Sequence, residues 1–289
     1  MHIPTKKLLN GFEMPVYGLG TWQMGGRFER DENNDDAADI QAIKNAIDHG
    51  VTHIDTAERY ASGFAEILVG KAIKGLNRKN LFLVSKVAKA NLNYDTLINS
   101  AKASLNRLGT EYFDLYLIHN PSLEIPLEET MSAMDFLVEK GLTRYIGVSN
   151  FTPERLGEAQ KYSRNKIVAN QVHYNLMVRE PERKGLLRYC QENDVMLIAW
   201  RPLQKGIISA SSEKIVQELS KKYSKTPAQL AINWLISQPN VVTLSKTTNI
   251  DHLEENLGAL GWNISEEDVQ RLRKEFPNQS DTSDAVSLQ

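Results

Sequence analysis

The sequence predicts an α/β protein folded as a single (β/α)8 TIM barrel over residues 1–289, with an N-terminal β-hairpin and extra helices. Three observations lead there. Short runs rich in Val, Ile and Leu alternate with segments of helical period, as parallel βα units require because their strands are covered on both faces. Eight such runs occur at an average spacing of about 32 residues, which fits a closed barrel better than an open doubly wound sheet. No Pro/Gly/Ser-rich linker and no shift in composition divides the chain, so one domain is expected.

The elements follow in order. Asn10-Gly11 between two partly apolar arms predicts a two-residue hairpin turn within residues 1–16. The runs 17–21, 51–55, 81–85, 115–118, 145–149, 168–172, 196–200 and 241–244 read as strands. Between them, Ile40, Ile43 and Ile47 share one face of a helix over 36–49, and Leu97, Ala101, Leu105 and Leu108 share one over 95–108. Gly50 and Gly109 follow these helices as C-terminal stops. The longer gap before the last strand holds two helices, 213–223 and 227–237, with Pro227 opening the second. Met131, Met134, Leu137 and Trp234 read as packing positions, and Cys190 as a buried thiol that nothing nearby activates. Residues Glu29 to Asp36 read as a solvated acidic first loop, and 276–289 as a polar tail that is disordered or a loose cover.

Composition removes several functions. The 34 Lys+Arg nearly balance 36 Asp+Glu without a single-sign block, which argues against a nucleic-acid or anionic-membrane surface. A lone Cys190 forms no internal disulfide and no cysteine-rich metal site, so a reducing, cytoplasmic setting is expected. No apolar run approaches the roughly 18 residues that cross a bilayer, and Met1 to Lys7 lacks a signal-peptide pattern. Without an extended amphipathic repeat, a monomer acting on a small molecule is expected.

Reacting groups of such a barrel sit where strands end. Asp55 closes the second run, Lys86 follows the third, His119 the fourth, and Ser149 and Asn150 the fifth; Gln171 lies at the sixth, Trp200 and Arg201 at the seventh, and Lys246 beyond the eighth. Any one of them alone reads as a helix cap or a solvated loop residue. A ring of them around one mouth predicts a site. Tyr60, five residues after Asp55, is placed over that mouth. A phenol near pKa 10 is a weak acid at neutral pH, and an adjacent Lys86 ammonium, kept charged by Asp55, is expected to bring that value down. His119 adds a neutral donor that orients a carbonyl oxygen. Together these four polarise a C=O and deliver a proton to it, with no nucleophile required. The hydride donor must be held without a dinucleotide fingerprint, because Gly18-Leu19-Gly20 runs on into Thr21-Trp22-Gln23. Trp200 offers a face on which a nicotinamide stacks, Ser149, Asn150 and Gln171 offer amide-recognising groups, and Lys246, Thr247 and Thr248 form a phosphate site ahead of a helix.

Taken in order, several segments resemble the aldo-keto reductase superfamily: Gly18-Leu19-Gly20-Thr21-Trp22, His53-Ile54-Asp55-Thr56-Ala57 leading to Tyr60, Ser85-Lys86, Leu115-Tyr116-Leu117-Ile118-His119, Ile146-Gly147-Val148-Ser149-Asn150-Phe151, Asn170-Gln171-Val172 and Leu253-Glu254-Glu255-Asn256. The likeness runs from the hairpin to about residue 275. It implies NAD(P)H-dependent reduction of aldehydes or ketones, keto sugars and small dicarbonyls among them. By the same resemblance Asp55, Tyr60, Lys86 and His119 are a catalytic tetrad with Tyr60 as proton donor, and Ser149, Asn150 and Gln171 hold the carboxamide. Trp200 takes the nicotinamide-stacking position, beside Arg201 and Leu203. Lys246, Thr247 and Thr248 contact the 2'-phosphate region, with His252 nearby and Glu255 and Asn256 near the adenine. Trp22, His119 and Asn120 line the substrate mouth.

Four departures from the pattern carry consequences. Trp200 stands where Tyr is usual and keeps a π-face. Arg201 stands where a small Ser is common and brings a positive charge toward the pyrophosphate or the substrate. Asn120 replaces a frequent Trp, which makes that wall more polar and roomier. His252 occupies the position of a phosphate-binding Arg, and imidazole lacks the guanidinium fork. NADP(H) is favoured, with NAD(H) left open.

Two competing readings stand beside this one. His53, Asp55, His119 and His173 could build a metal-dependent barrel hydrolase, which a stoichiometric divalent ion needed for activity would reveal. A non-catalytic nicotinamide-nucleotide sensor, as the potassium-channel β subunits of the same superfamily look to be, would bind NADPH without oxidising it against carbonyl compounds.

Overall fold

The structure is a computed structural model and describes residues 2–289. The chain opens with antiparallel strands β1 (Thr5–Lys7) and β2 (Glu13–Pro15), Lys7 facing Glu13. Their connection spans residues 8–12 rather than the two residues that Asn10-Gly11 suggests. Asn10 Oδ1 accepts from the Phe12 backbone N–H at 3.0 Å, Leu8 N–H donates to the Phe12 carbonyl at 2.8 Å, and Gly11 takes φ +89°. The longer turn drives the fully buried Phe12 into the base of the barrel, 4.9 Å from the Tyr145 ring and 6.0 Å from Phe82.

Parallel strands β3 (Tyr17–Gly20), β4 (His53–Asp55), β5 (Phe82–Val87), β6 (Phe113–Ile118), β7 (Thr143–Ser149), β8 (Ile167–His173), β9 (Met196–Trp200) and β10 (Val241–Ser245) follow, and β10 pairs with β3 to close the ring. Each coincides with an expected run. The ends differ: β5 continues to Val87, so Lys86 lies inside a strand, while β4 starts only at His53. Along a strand alternate side chains share a face, so His53 and Asp55 point the same way, opposite Gly18 and Gly20 in register. Gly18 leaves the room that the His53 imidazole fills, since a Cβ there would lie 2.3 Å from its Nδ1.

The strands are covered by helices α1 (Asp36–Asp48), α2 (Phe64–Ile73), α3 (Tyr94–Leu108), α4 (Leu127–Glu139), α5 (Pro153–Tyr162), α6 (Glu180–Arg183), α7 (Leu186–Glu192), α8 (Lys214–Tyr223), α9 (Pro227–Ser237), α10 (Ile250–Leu257) and α11 (Glu266–Glu275). The apolar stripe of α3 is buried and ends at left-handed Gly109, whereas in α1 only Ile43 of the three isoleucines is fully buried. Thr226 and Gln229 close a reciprocal cap around Pro227, which explains the clean start of α9. Met131, Met134, Leu137 and Trp234 are buried, and burial pushes the Cys190 thiol up to about 12. None of the described helices is long and apolar enough to cross a membrane.

Where composition suggests a loose tail, residues after α11 are bonded back to the mouth of the barrel. The buried Glu180 carboxylate accepts from the Ser283 and Leu288 backbone N–H groups at 3.0 and 3.1 Å. Gln289 N–H donates to the Asn150 carbonyl at 2.9 Å, and Thr152 N–H donates to the Gln289 carbonyl at 3.0 Å. These partners lie more than a hundred residues away, so no local pattern announces them.

Candidate active site

At the upper rim of the barrel, β4 ends in Asp55 and β5 presents Lys86 one pleat further along the mouth. The fully buried Lys86 Nζ donates to Asp55 Oδ1 at 2.5 Å, to the Thr56 carbonyl at 2.8 Å and to the Tyr60 hydroxyl at 3.3 Å. Burial pulls the ammonium pKa down, but Asp55 and Tyr60 outweigh it and hold the group above its ordinary value, so it stays charged. Asp55 Oδ2 accepts from Gln171 Nε2 at 2.7 Å, which satisfies the other side of the buried carboxylate.

Tyr60 starts a short turn whose next residues, Ala61, Ser62 and Gly63, have φ of +49, +53 and +88°. Backbone bonds from Ala61 N–H to the Arg27 carbonyl and from Ser62 N–H to the Phe28 carbonyl, both 2.7 Å, tie this turn to the first loop. The phenol ring then meets the His119 ring edge-on at 5.5 Å and the Trp22 ring at 5.0 Å. The expected lowering of the phenol does not hold: burial raises its pKa above 10, and Lys86 only tempers that rise. Tyr60 therefore keeps its proton at neutral pH. His119 is driven well below its ordinary value by burial and by the Lys86 and Arg59 charges, so its imidazole is neutral, with Nδ1 unpartnered.

Next along the rim, Ser149 Oγ donates to the Gln171 carbonyl at 2.7 Å. Asn150, at φ +65°, donates through Nδ2 to the His119 carbonyl (3.2 Å), to Asn120 Oδ1 (3.0 Å) and to Ser149 Oγ (3.1 Å). Its Oδ1 is buried and has no donor. An orphaned amide oxygen of this kind fits the N–H2 of a nicotinamide carboxamide. Trp200 is half-buried, and His173 stacks against it at 4.2 Å and 14°. Half-buried Leu203 follows in the same loop.

Within the protein Arg201 Nη1 lies 3.7 Å from Asp284 Oδ1 of the tail. His173 is held by Ser283 Oγ and Gln204 Oε1, both at 2.8 Å. Lys246 and Thr248 are exposed ahead of α10, whereas Thr247 Oγ1 is engaged in a local turn with Asn249. His252 is exposed, Glu255 half-buried, and the buried Asn256 donates through Nδ2 to Ser245 Oγ at 3.2 Å.

The histidine set of a metal hydrolase is not gathered. Among the described residues no group of three or more His, Cys, Asp or Glu is placed to hold a metal ion. His53 packs below Asp55, edge-on to Phe82 at 5.6 Å, and His173 is taken by Trp200, Ser283 and Gln204. Sequence reasoning missed the Gln171–Asp55 bond and the roles of Gln204, Ser283 and Asp284. Strand parity puts Gln171 on the inner face, yet nothing in one dimension selects Asp55 from the other inward groups.

A family model for the Aldo/keto reductase family matches residues 17–275. Methylglyoxal reductase YeaE of Escherichia coli (strain K12) is 37% identical over 268 residues, covering 91% of this chain and 92% of that protein. The crystal structure of a thermostable aldo-keto reductase, Tm1743, in complex with the inhibitor epalrestat aligns with a TM-score of 0.90 at 46% identity, covering 94% of this chain and 99% of that one. An aldo-keto reductase from Klebsiella pneumoniae in complex with NADPH gives 0.83 at 34% identity, with 98% of both chains covered.

Proposed function

The chain belongs to the aldo/keto reductase family and is an NADP(H)-dependent oxidoreductase that reduces carbonyl compounds to alcohols, and on that premise we propose that Tyr60 is its proton donor and that small aldehydes and dicarbonyls are its substrates. One observation carries the assignment of the donor: the Tyr60 hydroxyl lies 3.3 Å from an ammonium that Asp55 keeps charged. The 37% identity to a methylglyoxal reductase supports the substrate class and favours turnover over a sensor role.

Bound NADPH supplies the hydride to the carbonyl carbon. The carbonyl oxygen is oriented by Tyr60 and by the neutral His119, which hydrogen-bonds without competing for the proton. As negative charge grows on that oxygen, the phenol gives up its proton to it. Lys86 stabilises the phenolate left behind, and Asp55 with Gln171 keeps the ammonium in place; solvent then restores the phenol proton. Asn150 Oδ1, Ser149 and Gln171 would hold the carboxamide, Trp200 would flank the nicotinamide, and Lys246, Thr248 and His252 would face the 2'-phosphate. The protein works on this reading as one domain and as a cytoplasmic monomer, supported by its near-balanced charge and its single, buried cysteine.

The test is Tyr60→Phe, which removes the hydroxyl and keeps the ring. NADPH oxidation with methylglyoxal should fall by about 10³-fold while NADPH affinity, read by tryptophan fluorescence, is retained. Near-normal turnover would remove Tyr60 as the acid.

A further inference from the structure

We infer that Arg59 is a specificity-determining residue that binds a carboxylate on the substrate, so that the enzyme prefers carbonyl compounds bearing an anion at the end remote from the reacting C=O. The inference rests on the reductase reading and adds a substrate class to it.

Arg59 directly precedes Tyr60, so its Cα is about 3.8 Å from that of the proton donor. Its guanidinium lies 4.6 Å over the ring of Phe28, which is 51% exposed. Phe28 in turn meets Trp22 at 5.0 Å, and Trp22 meets Tyr60 at 5.0 Å. The cation thus sits at the outer end of an aromatic wall that begins at the phenol. Stacking occupies the face of a guanidinium and leaves its in-plane N–H fork free, and that fork matches a carboxylate.

No described residue uses the fork. Among the described residues, exposed Arg59 has its Phe28 contact and neither an ion pair nor a side-chain hydrogen bond. The nearby acids are engaged elsewhere. Glu58 Oε1 accepts from the Ala88 N–H at 2.5 Å and from Asn91 Nδ2 at 3.1 Å, and Glu29 accepts from Ser62 Oγ at 2.9 Å. Arg201, after β9, faces Asp284. The Arg59 charge nevertheless reaches the reacting centre: after burial and Lys86, it is a further cause that lowers the His119 pKa. A substrate whose carbonyl lies between Tyr60 and His119 and whose body runs along Trp22 would bring a remote carboxylate to this unneutralised cation.

The experiment compares 4-carboxybenzaldehyde with 4-formylbenzamide, which have nearly the same shape and differ in charge, using NADPH and the wild-type, Arg59→Gln and Arg59→Lys proteins. The wild type should favour the carboxylate in kcat/KM by about ten-fold. Arg59→Gln should erase that ratio, mainly through KM, Arg59→Lys should restore part of it, and added salt should shrink it. An Arg59→Gln protein that keeps the wild-type ratio, or a wild type without preference, overturns the inference. If neither aldehyde is reduced, the proposed aldehyde substrate class fails. Calorimetric binding of 4-(hydroxymethyl)benzoate and its amide to the NADP⁺-loaded proteins then decides the role of Arg59. A carboxylate preference lost in Arg59→Gln upholds it, and equal affinities overturn it.

Discussion

Lys86 has no solvent to fall back on: it is fully buried, and its three hydrogen bonds all go to groups of the site. Lys86→Met would leave Asp55 buried with only the Gln171 amide as partner, a loss on the order of 3–5 kcal/mol for a broken buried pair. We expect a lower melting temperature by calorimetry and a fall of at least about 10²-fold in kcat/KM by steady-state kinetics. Wild-type values for both would discredit the ion pair. His252 poses a separate question of recognition. It is exposed on α10 near Lys246, and Arg would add the fork that imidazole lacks. His252→Arg should raise the NADPH over NADH affinity ratio several-fold, as measured by fluorescence titration; an unchanged ratio would show that this position does not read the phosphate. That Asp55, Lys86, Tyr60 and His119 are neighbours was legible because Asp55, Lys86 and His119 lie near strand ends and Tyr60 follows on the loop after β4. The direction of the Tyr60 pKa was not legible, because burial outweighs the neighbouring charge and sequence cannot weigh the two.

At the scale of elements, β3 and β4 are fitted to each other by one missing side chain. A Cβ on Gly18 would lie 2.3 Å from His53 Nδ1 and 2.6 Å from Cγ, and that ring is fully buried. Gly18→Ala should therefore cost about 1–3 kcal/mol in urea unfolding, and His53→Ala in the same chain should recover part of the loss. Simple additivity of the two changes would contradict the packing argument. Helical periods and caps identified α3, α8 and α9 closely, because those signals are local. Asn10-Gly11 misled on turn length for an equally physical reason. A two-residue turn would have kept Phe12 in the strand, whereas the five-residue turn buries it between Phe82 and Tyr145.

Across the whole molecule, buried imidazoles couple the fold to pH: His119 of the site and, away from the phenol, two others. Burial lowers both His53 and His173 from 6.5 to about 4; His53 lies under the ion pair, and His173 joins Trp200 to the tail. As acid is added the unfolded chain takes up these protons first, since its histidines retain the ordinary value. Stability from the two groups is therefore complete above about pH 6.5, is lost as pH falls toward 4, and changes no further below that. For the fully buried His53 the loss is on the order of 3 kcal/mol. Thermal melts between about pH 7 and 4 should show this decline, and His53→Leu should flatten it; an equal slope in both proteins would exclude His53 as a source.

By itself the sequence determined the barrel, the order of its units and the rim on which Asp55, Tyr60, Lys86 and His119 meet. Periodicity places residues on faces, and the ends of parallel strands converge on one mouth. Only the tertiary structure decided that Gln171 shares Asp55 with Lys86, that the tail is bonded to Asn150 and Glu180, and that Arg59 keeps an unused fork beside Tyr60. Those outcomes depend on which distant groups come within hydrogen-bonding distance and on how deeply each is buried, and a pattern along the chain specifies neither.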